Sequence, residues 1–144
     1  MISAARIVET LGGKGVLRDR PADYTAVIGR IRAGLPYAAL EAVARRFEIP
    51  LETLVRVLHL PRRTLARRKK ERRLRADESD RLLRLGRVAA LAEEVLGDKE
   101  KASRWLQKPN RALGGIAPLD LLDTDLGAQE VEATLTRIEH GVYS

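Results

Sequence analysis

Apolar residues recur along the chain at intervals of three and four, and Gly or Pro separates each such stretch from the next. This spacing places apolar side chains on one side of an α-helix, and it predicts several short amphipathic helices. Three of them are predicted in the first half, beginning at Pro21, near Pro36 and at Pro50. Their apolar residues are Tyr24, Val27, Ile28 and Ile31; Leu40, Val43, Ala44 and Phe47; and Leu51, Leu54, Val55 and Leu58.

The chain before the first of these helices is mixed in character. Ala4 to Leu11 predicts a short helix, which Gly12 and Gly13 end. The glycines and the charged residues after them indicate either a basic arm that touches DNA or a partner, or a frayed terminus. The position at the end of the chain favours the frayed terminus.

A strongly basic stretch follows the third helix after a short turn at His59 and Leu60. Nine of the fifteen residues from Pro61 to Arg75 are Lys or Arg, and Leu65 marks the apolar side of the predicted helix. By itself this stretch fits either a DNA-recognition helix or a solvated basic surface. Amphipathic helices that lead over a tight turn into a basic helix form the order of a helix-turn-helix, which favours DNA recognition. The predicted DNA-contacting residues are Arg62, Arg63, Thr64, Arg67, Arg68, Lys69, Lys70 and Arg72.

The second half predicts one long helix followed by shorter ones. An acidic turn begins the long helix and Gly97 ends it. Asp98 is the predicted N-cap of the next helix, Trp105 is a predicted core residue, and a last helix follows Asp125. The apolar residues of the long helix are Leu82, Leu85, Val88, Ala89, Ala92, Val95 and Leu96. Its regular stripe fits contact with a partner helix or a second copy, although packing within its own domain is the favoured interpretation.

The predicted fold is all-α, with a helix-turn-helix domain followed by a small helical domain. We expect a variable N-terminal arm over residues 1–20, the DNA-binding domain over 21–75 and a second domain over 76–144. Charge supports this division, because residues 1–75 hold 18 Lys and Arg against 7 Asp and Glu, whereas residues 76–144 hold 9 against 13. A basic front half favours nucleic acid as its partner, while the acidic back half indicates another role.

Composition excludes several classes of function. The chain has no cysteine, so we expect neither a disulfide framework nor a thiolate metal site. Its two histidines, His59 and His140, lie in different halves, and no catalytic constellation, metal site or cofactor site is predicted. Without an apolar run of membrane-spanning length or a signal peptide, the expected location is the cytoplasm. RNA binding is disfavoured, because the basic helix lacks interleaved aromatic residues for base stacking.

The second half resembles a known family of antitoxin domains. It is similar to the C-terminal domain of ParS/Xre/MbcA antitoxins. The residues that carry the similarity are Gly97-Asp98-Lys99, Trp105-Leu106, Ala112-Leu113-Gly114-Gly115, Pro118-Leu119-Asp120-Leu121-Leu122 and Arg137-Ile138-Glu139-His140-Gly141-Val142-Tyr143. The basic run Arg63–Lys69 and the segment Glu78–Leu82 resemble the part that precedes this domain in the same family. The resemblance extends from about Leu35 to the C-terminus.

The resemblance implies an antitoxin of a type II toxin–antitoxin pair. The implied partner is a RES-domain toxin that consumes NAD⁺, and the front domain is expected to bind the promoter of the operon as a homodimer or within a larger complex with the toxin. The C-terminal end is expected at or near the active site of the toxin. The implied toxin-binding residues are Arg137, Glu139, His140, Gly141, Val142, Tyr143 and Ser144.

Two alternatives remain at this point. The C-terminal end blocks the toxin sterically, which we favour, or Tyr143 and the terminal carboxylate mimic parts of the cofactor. The whole chain is an antitoxin, or it is a stand-alone helix-turn-helix regulator whose second domain serves only for dimerisation.

Overall fold

The structure is a computed structural model that describes residues 2–18 and 23–141. Within those two ranges it consists of nine α-helices and two short 3₁₀ turns, with no strand. The α-helices are α1 Ala4–Thr10, α2 Lys14–Leu17, α3 Tyr24–Ala33, α4 Tyr37–Arg46, α5 Leu51–Leu58, α6 Arg62–Glu71, α7 Ala76–Leu96, α8 Lys99–Gln107 and α9 Asp125–Glu139. The 3₁₀ turns are Arg111–Leu113 and Pro118–Leu121. None of these helices is long and apolar enough to cross a membrane.

The long helix α7 is the centre of the fold. It contacts α1, α3 and α5 from the first half of the chain and α8 and α9 from the second half. Leu82, Leu85 and Val88 are fully buried in these contacts. The apolar stripe of α7 is therefore covered by helices of the same chain, as the favoured interpretation expected. The division into an arm and two domains stays a prediction, because α7 packs against both halves.

The N-terminal residues belong to the core, which corrects the expectation of a frayed terminus. The predicted first helix is confirmed as α1, and Ile7 and Leu11 are at most 2% exposed. The glycines do not start a loose arm. Gly12 has a φ of 108°, a conformation that glycine adopts at low cost, and it allows the chain to turn directly into α2. The turn carries Leu17, also 2% exposed, back into the core.

The helices predicted around the helix-turn-helix are present at nearly the predicted positions. Leu40 and Val43 of α4 and Leu54 and Leu58 of α5 are buried, as the apolar spacing predicted. The first of these helices, α3, begins at Tyr24 with Asp23 as its N-cap, while the predicted start at Pro21 lies outside the described residues. Its apolar stripe is narrower than predicted. Only Val27 and Ile31 are buried, whereas Tyr24 and Ile28 remain 41% and 45% exposed because they lie on the outer side of the contact with α7.

A short backbone pairing follows the basic helix α6. The basic helix α6 stops at Glu71 rather than continuing to Arg75, and the following residues run antiparallel to the turn between α3 and α4. The amide N of Leu74 donates to the carbonyl O of Leu35 at 2.9 Å. Gly34 is required in this pairing, since a Cβ atom there would lie 2.3 Å from the carbonyl O of Leu74.

The second half folds around capped helix ends. Asp98 is confirmed as the N-cap of α8, because its Oδ1 accepts from the amide N of Lys101 at 2.7 Å. Trp105 is only partly buried and packs against the core. Thr124 caps α9, and Gly127 allows the first turn of α9 to approach the 3₁₀ turn Pro118–Leu121 closely. Three buried residues then hold α9 against the core: Ala128, Val131 and Leu135.

Candidate DNA-binding and toxin-binding surfaces

The exposed surface of α6 carries most of the predicted DNA-contacting residues. Leu65 is 3% exposed and belongs to the same buried apolar core as Leu40 of α4 and Leu54 of α5. Arg63, Arg67 and Lys70 point away from Leu65, are exposed, and have no ion-pair partner within residues 2–18 and 23–141. Their charges are therefore available to an external partner. In a recognition helix these positions face base edges.

Other predicted cations on α6 have partners within the protein. Arg62 forms an ion pair with Glu52 of α5. Lys69 lies 3.9 Å from Glu41, and both side chains are largely exposed. Exposed pairs of this kind contribute little to stability, so both cations remain available for exchange with phosphates. Thr64 is half-buried on the same helix.

Arg68 differs from the other predicted residues, because it is 4% exposed. Its Nε donates to Oε1 of Glu78 on α7 at 2.8 Å, and its Nη1 donates to Oε1 of Glu71 at 3.1 Å. The same Oε1 of Glu78 accepts from the amide N of Arg75 at 2.8 Å, which ties the first turn of α7 to the same site. Arg68 therefore fixes α6 against α7 and presents no free guanidinium to solvent.

Pairing with Arg68 lowers the pKa of the buried carboxylate of Glu78. Burial alone would raise the pKa of Glu78, but hydrogen bonds from Arg68 and from the amide N of Arg75 outweigh it and lower the pKa. The same hydrogen bond raises the pKa of Arg68. Sequence reasoning missed Glu78 as a partner. The available signal was weak: Glu71 and Glu78 are acidic residues at the edge of a basic run.

The turn of the helix-turn-helix is held by contacts with the second half of the chain. His59 ends α5 in the left-handed conformation, with a φ of 52°. Its Nε2 lies 2.9 Å from the carbonyl O of Asp123, as expected for a capping or packing residue. Arg56 pairs with Asp120, and Nε of Arg81 donates to the carbonyl O of Leu58 at 2.7 Å. These contacts fix the angle at which α6 leaves the turn.

The predicted toxin-binding residues lie at the exposed end of α9. Arg137, Glu139, His140 and Gly141 are exposed at the last turn of the helix or just after it. Nη2 of Arg137 donates to Oγ1 of Thr134 at 3.1 Å, and His140 lies 4.0 Å from Glu139. The remaining predicted residues, Val142, Tyr143 and Ser144, lie outside the described part of the chain. The structure thus brings four of the seven together at one exposed end.

Comparison with known families defines a class for this architecture. Residues 26–87 match the antitoxin Xre-like helix-turn-helix domain, and residues 91–141 match the antitoxin Xre/MbcA/ParS C-terminal toxin-binding domain. The first match contains α6, and the second contains α8 and α9. The class is therefore a DNA-binding type of domain followed by the C-terminal domain of an antitoxin.

Similar proteins narrow the class to one family. A protein named Antitoxin Xre from Yersinia enterocolitica is 34% identical over 122 residues, which cover 83% of this chain and 82% of that protein. Another Antitoxin Xre, from Pseudomonas putida, is 42% identical over 83 residues, covering 57% of this chain and 52% of that protein. The Prs ADP-ribosylating antitoxin of a Sphingobium species is 27% identical, with coverage of 91% and 87%. The chain belongs to the Xre antitoxin family. The family and the all-α order of domains predicted from the sequence are thereby confirmed.

Proposed function

We propose that this protein is the antitoxin of a type II toxin–antitoxin pair, without enzymatic activity of its own. It neutralises a RES-domain, NAD⁺-consuming toxin by direct contact, and it represses its own operon by binding promoter DNA. The observation that carries the proposal is the order of the two family matches, helix-turn-helix first and toxin-binding domain second, on one chain.

The exposed cations of α6 support promoter binding. In the proposed complex α6 enters the major groove, Arg63 and Arg67 reach base edges, and Arg62, Lys69 and Arg72 hold phosphates. The protein acts as a dimer, so the two copies of α6 read half-sites about one helical turn, ~34 Å, apart. Buried Arg68 is not part of this surface, and its role is to hold α6 in place.

The exposed end of α9 supports toxin binding. Glu139 and His140 have side chains 50% and 68% exposed at the end of the helix, directly before the last residues of the chain. In the proposed complex, residues 137–144 enter the cleft of the toxin active site and obstruct it sterically. Arg137, which is held by Thr134, and the flexible backbone position Gly141, with a φ of 71°, direct the chain end into the cleft.

Promoter binding is tested by titration of a promoter duplex at fixed salt concentration. Arg63→Ala and Arg67→Ala are each expected to lose about 1–3 kcal/mol of binding free energy and to relax base preference. Arg104→Ala is the matched control, because Arg104 is an exposed cation on α8, away from α6. Unchanged promoter affinity in both α6 variants would rule out α6 as the recognition helix.

Toxin neutralisation is tested by removing Gly141–Ser144 and co-expressing the shortened chain with the neighbouring toxin. The expected result is loss of growth protection with promoter affinity retained, because α6 is distant in sequence from the deleted end. Full protection by the shortened chain would rule out obstruction by the chain end. No protection by the full-length chain, together with no binding between purified toxin and antitoxin, would instead support a stand-alone transcription regulator.

A further inference from the structure

A basic cleft lies beside the C-terminal end of α6, on the side that faces α2 and α4. It has a volume of about 680 Å³ and is bounded by the end of α2, the first residues of α4 and the segment after α6. Its basic side chains come from separate parts of the sequence: Arg18, Arg30, Lys69, Arg72 and Arg73. Arg18 precedes the region that matches the helix-turn-helix family, so the cleft is not defined by that family match.

The cleft carries an excess of positive charge. Its five basic residues face two acidic ones, Glu41 and Glu71. Glu71 already accepts a hydrogen bond from buried Arg68, and Glu41 lies 3.9 Å from Lys69. Arg18 and Arg72 have no side-chain partner within the described ranges. Among the described residues, Arg18 and Arg72 are therefore not paired with a carboxylate.

The backbone at two of these arginines is unusual. Arg18 has a φ of 68° and Arg72 a φ of 64°, in the left-handed region where Gly and Asn cost less than a long side chain. Both residues end a helix and both line the cleft. Since neither side chain forms a hydrogen bond or an ion pair within the described ranges, an external partner would explain arginine at these positions.

The neighbouring elements fit a phosphate ligand. No side chain caps the N-terminus of α4, although the amide N of Tyr37 donates to the carbonyl O of Arg72 at 3.2 Å. Tyr37 and Ala38 line the cleft, so the helix dipole adds to the positive potential there. Nη1 of Arg73 donates to the carbonyl O atoms of Ala33 and Gly34, both at 3.0 Å, and Arg73 also lines the cleft. Guanidinium groups pair with phosphate oxygens through two parallel hydrogen bonds.

The cleft lies where a DNA backbone would pass. The major groove is about 12 Å wide and an α-helix is about 10–12 Å across, so phosphates bound a recognition helix closely on both sides. Lys69 and Arg72 lie beside the Leu65 side of α6, not on the side of Arg63 and Arg67, and thus face a flank of the groove. We propose that this cleft binds the phosphodiester backbone of the promoter DNA, and that it extends the DNA interface to Arg18, before the helix-turn-helix. The inference rests on the proposed promoter binding.

The test measures the salt dependence of promoter binding by the full-length chain. Arg18→Asn and Arg72→Asn remove a cation but keep a residue that tolerates a positive φ, and the thermal unfolding midpoint checks that both variants fold. Each is expected to reduce the magnitude of the slope of log K against log[salt] by about 0.9, and the double variant by about 1.8. The loss should be equal for promoter and unrelated duplexes, because phosphates carry no sequence information.

Two control variants separate the possible outcomes. Arg104→Asn should leave the slope unchanged, and Arg67→Ala should reduce the preference for promoter over unrelated DNA. If Arg67→Ala has this effect while the double variant at Arg18 and Arg72 keeps the wild-type slope and affinity, the cleft proposal is wrong and promoter binding stands. If the wild-type chain binds the toxin but not the promoter duplex, the promoter part of the proposed function is wrong, and the cleft proposal with it.

Discussion

Replacement of Glu78 by Ala is predicted to destabilise the protein strongly, because it leaves Arg68 buried with one remaining partner. The side chains of Arg68 and Glu78 are each 5% exposed and lie 2.8 Å apart. Removing one partner of a buried ion pair costs about 3–5 kcal/mol, and the loss of the hydrogen bond from the amide N of Arg75 adds to it. Glu71, 3.1 Å from Arg68 and 54% exposed, offsets part of the loss. We therefore expect a decrease of about 3 kcal/mol, a large share of the ~5–15 kcal/mol typical of a domain.

Urea denaturation followed by circular dichroism measures this change. With a slope of about 2 kcal/mol per molar urea, a 3 kcal/mol loss lowers the midpoint by about 1.5 M. Glu78→Gln keeps an acceptor for the amide N of Arg75 but removes the charge, so its loss should be smaller. The double variant Arg68→Met with Glu78→Leu removes both charges. Its loss of unfolding free energy should be smaller than the sum of the losses in the single variants Arg68→Met and Glu78→Leu.

Either of two results would refute this reasoning. The first is a loss of less than about 1 kcal/mol for Glu78→Ala, which would place the pair among exposed ion pairs. The second is strict additivity in the double-mutant cycle, which would show that Arg68 and Glu78 contribute independently of each other.

Three further predictions concern the fold. Gly34→Ala should lower the free energy of unfolding by about 2–3 kcal/mol, because its φ is 94° and a Cβ would collide with the carbonyl O of Leu74. Gly29→Ala, in open space within α3, should raise it by about 0.5–1 kcal/mol. Thermal unfolding measures both changes. Stability should fall as the pH is lowered below about 4.5. Hydrogen bonds from Arg46 of α4 lower the pKa of Glu93 on α7, and hydrogen bonds from Arg68 and the amide N of Arg75 outweigh burial and lower the pKa of Glu78. Both carboxylates therefore stabilise the folded state above their unfolded pKa and lose that contribution as the pH falls through their folded pKa. Glu93→Gln should flatten this acid dependence, and an unchanged pH profile would contradict the assignment. The fluorescence of Trp105 reports on the second half of the chain, and circular dichroism reports on all helices. Both signals should change at the same urea concentration, because α7 packs against both halves. Separate transitions would contradict a single cooperative core.

Apolar spacing was sufficient to predict most of the helices, because a helix that packs on one side keeps a period of 3.6 residues whatever it packs against. Leu65 was correctly identified as the anchor of α6, and Asp98 as a cap, since both are local properties of the sequence. The burial of Arg68 could not be predicted from the local sequence. Helix geometry placed it beside Leu65, but its burial depends on Glu78, ten residues later on another helix.

The packing of the N-terminal residues could not be predicted from the local sequence either. The glycines near residue 12 are typical of flexible segments, yet Gly12 forms a tight turn between two helices that each place buried residues in the core. Whether α1 has a surface to pack against depends on the first half folding around α7. Gly86 of α7 lies against Leu11, because a Cβ atom at Gly86 would be in van der Waals contact with that side chain at 3.5 Å. No window of sequence around residues 2–18 contains this information.

The central position of α7 connects the two proposed surfaces physically. Near its first turn, Glu78 holds α6 through Arg68, and further along, Nη2 of Arg87 donates to Oε1 of Glu132 on α9 at 2.9 Å. Both contacts are supported by fully buried apolar residues on the same helix. Displacement of α6 relative to α9 would break hydrogen bonds to charged groups and expose apolar surface, and both changes are unfavourable. Helix α6, proposed to contact DNA, and helix α9, whose end is proposed to contact the toxin, therefore keep one fixed relative orientation, set by a helix that itself takes part in neither proposed contact.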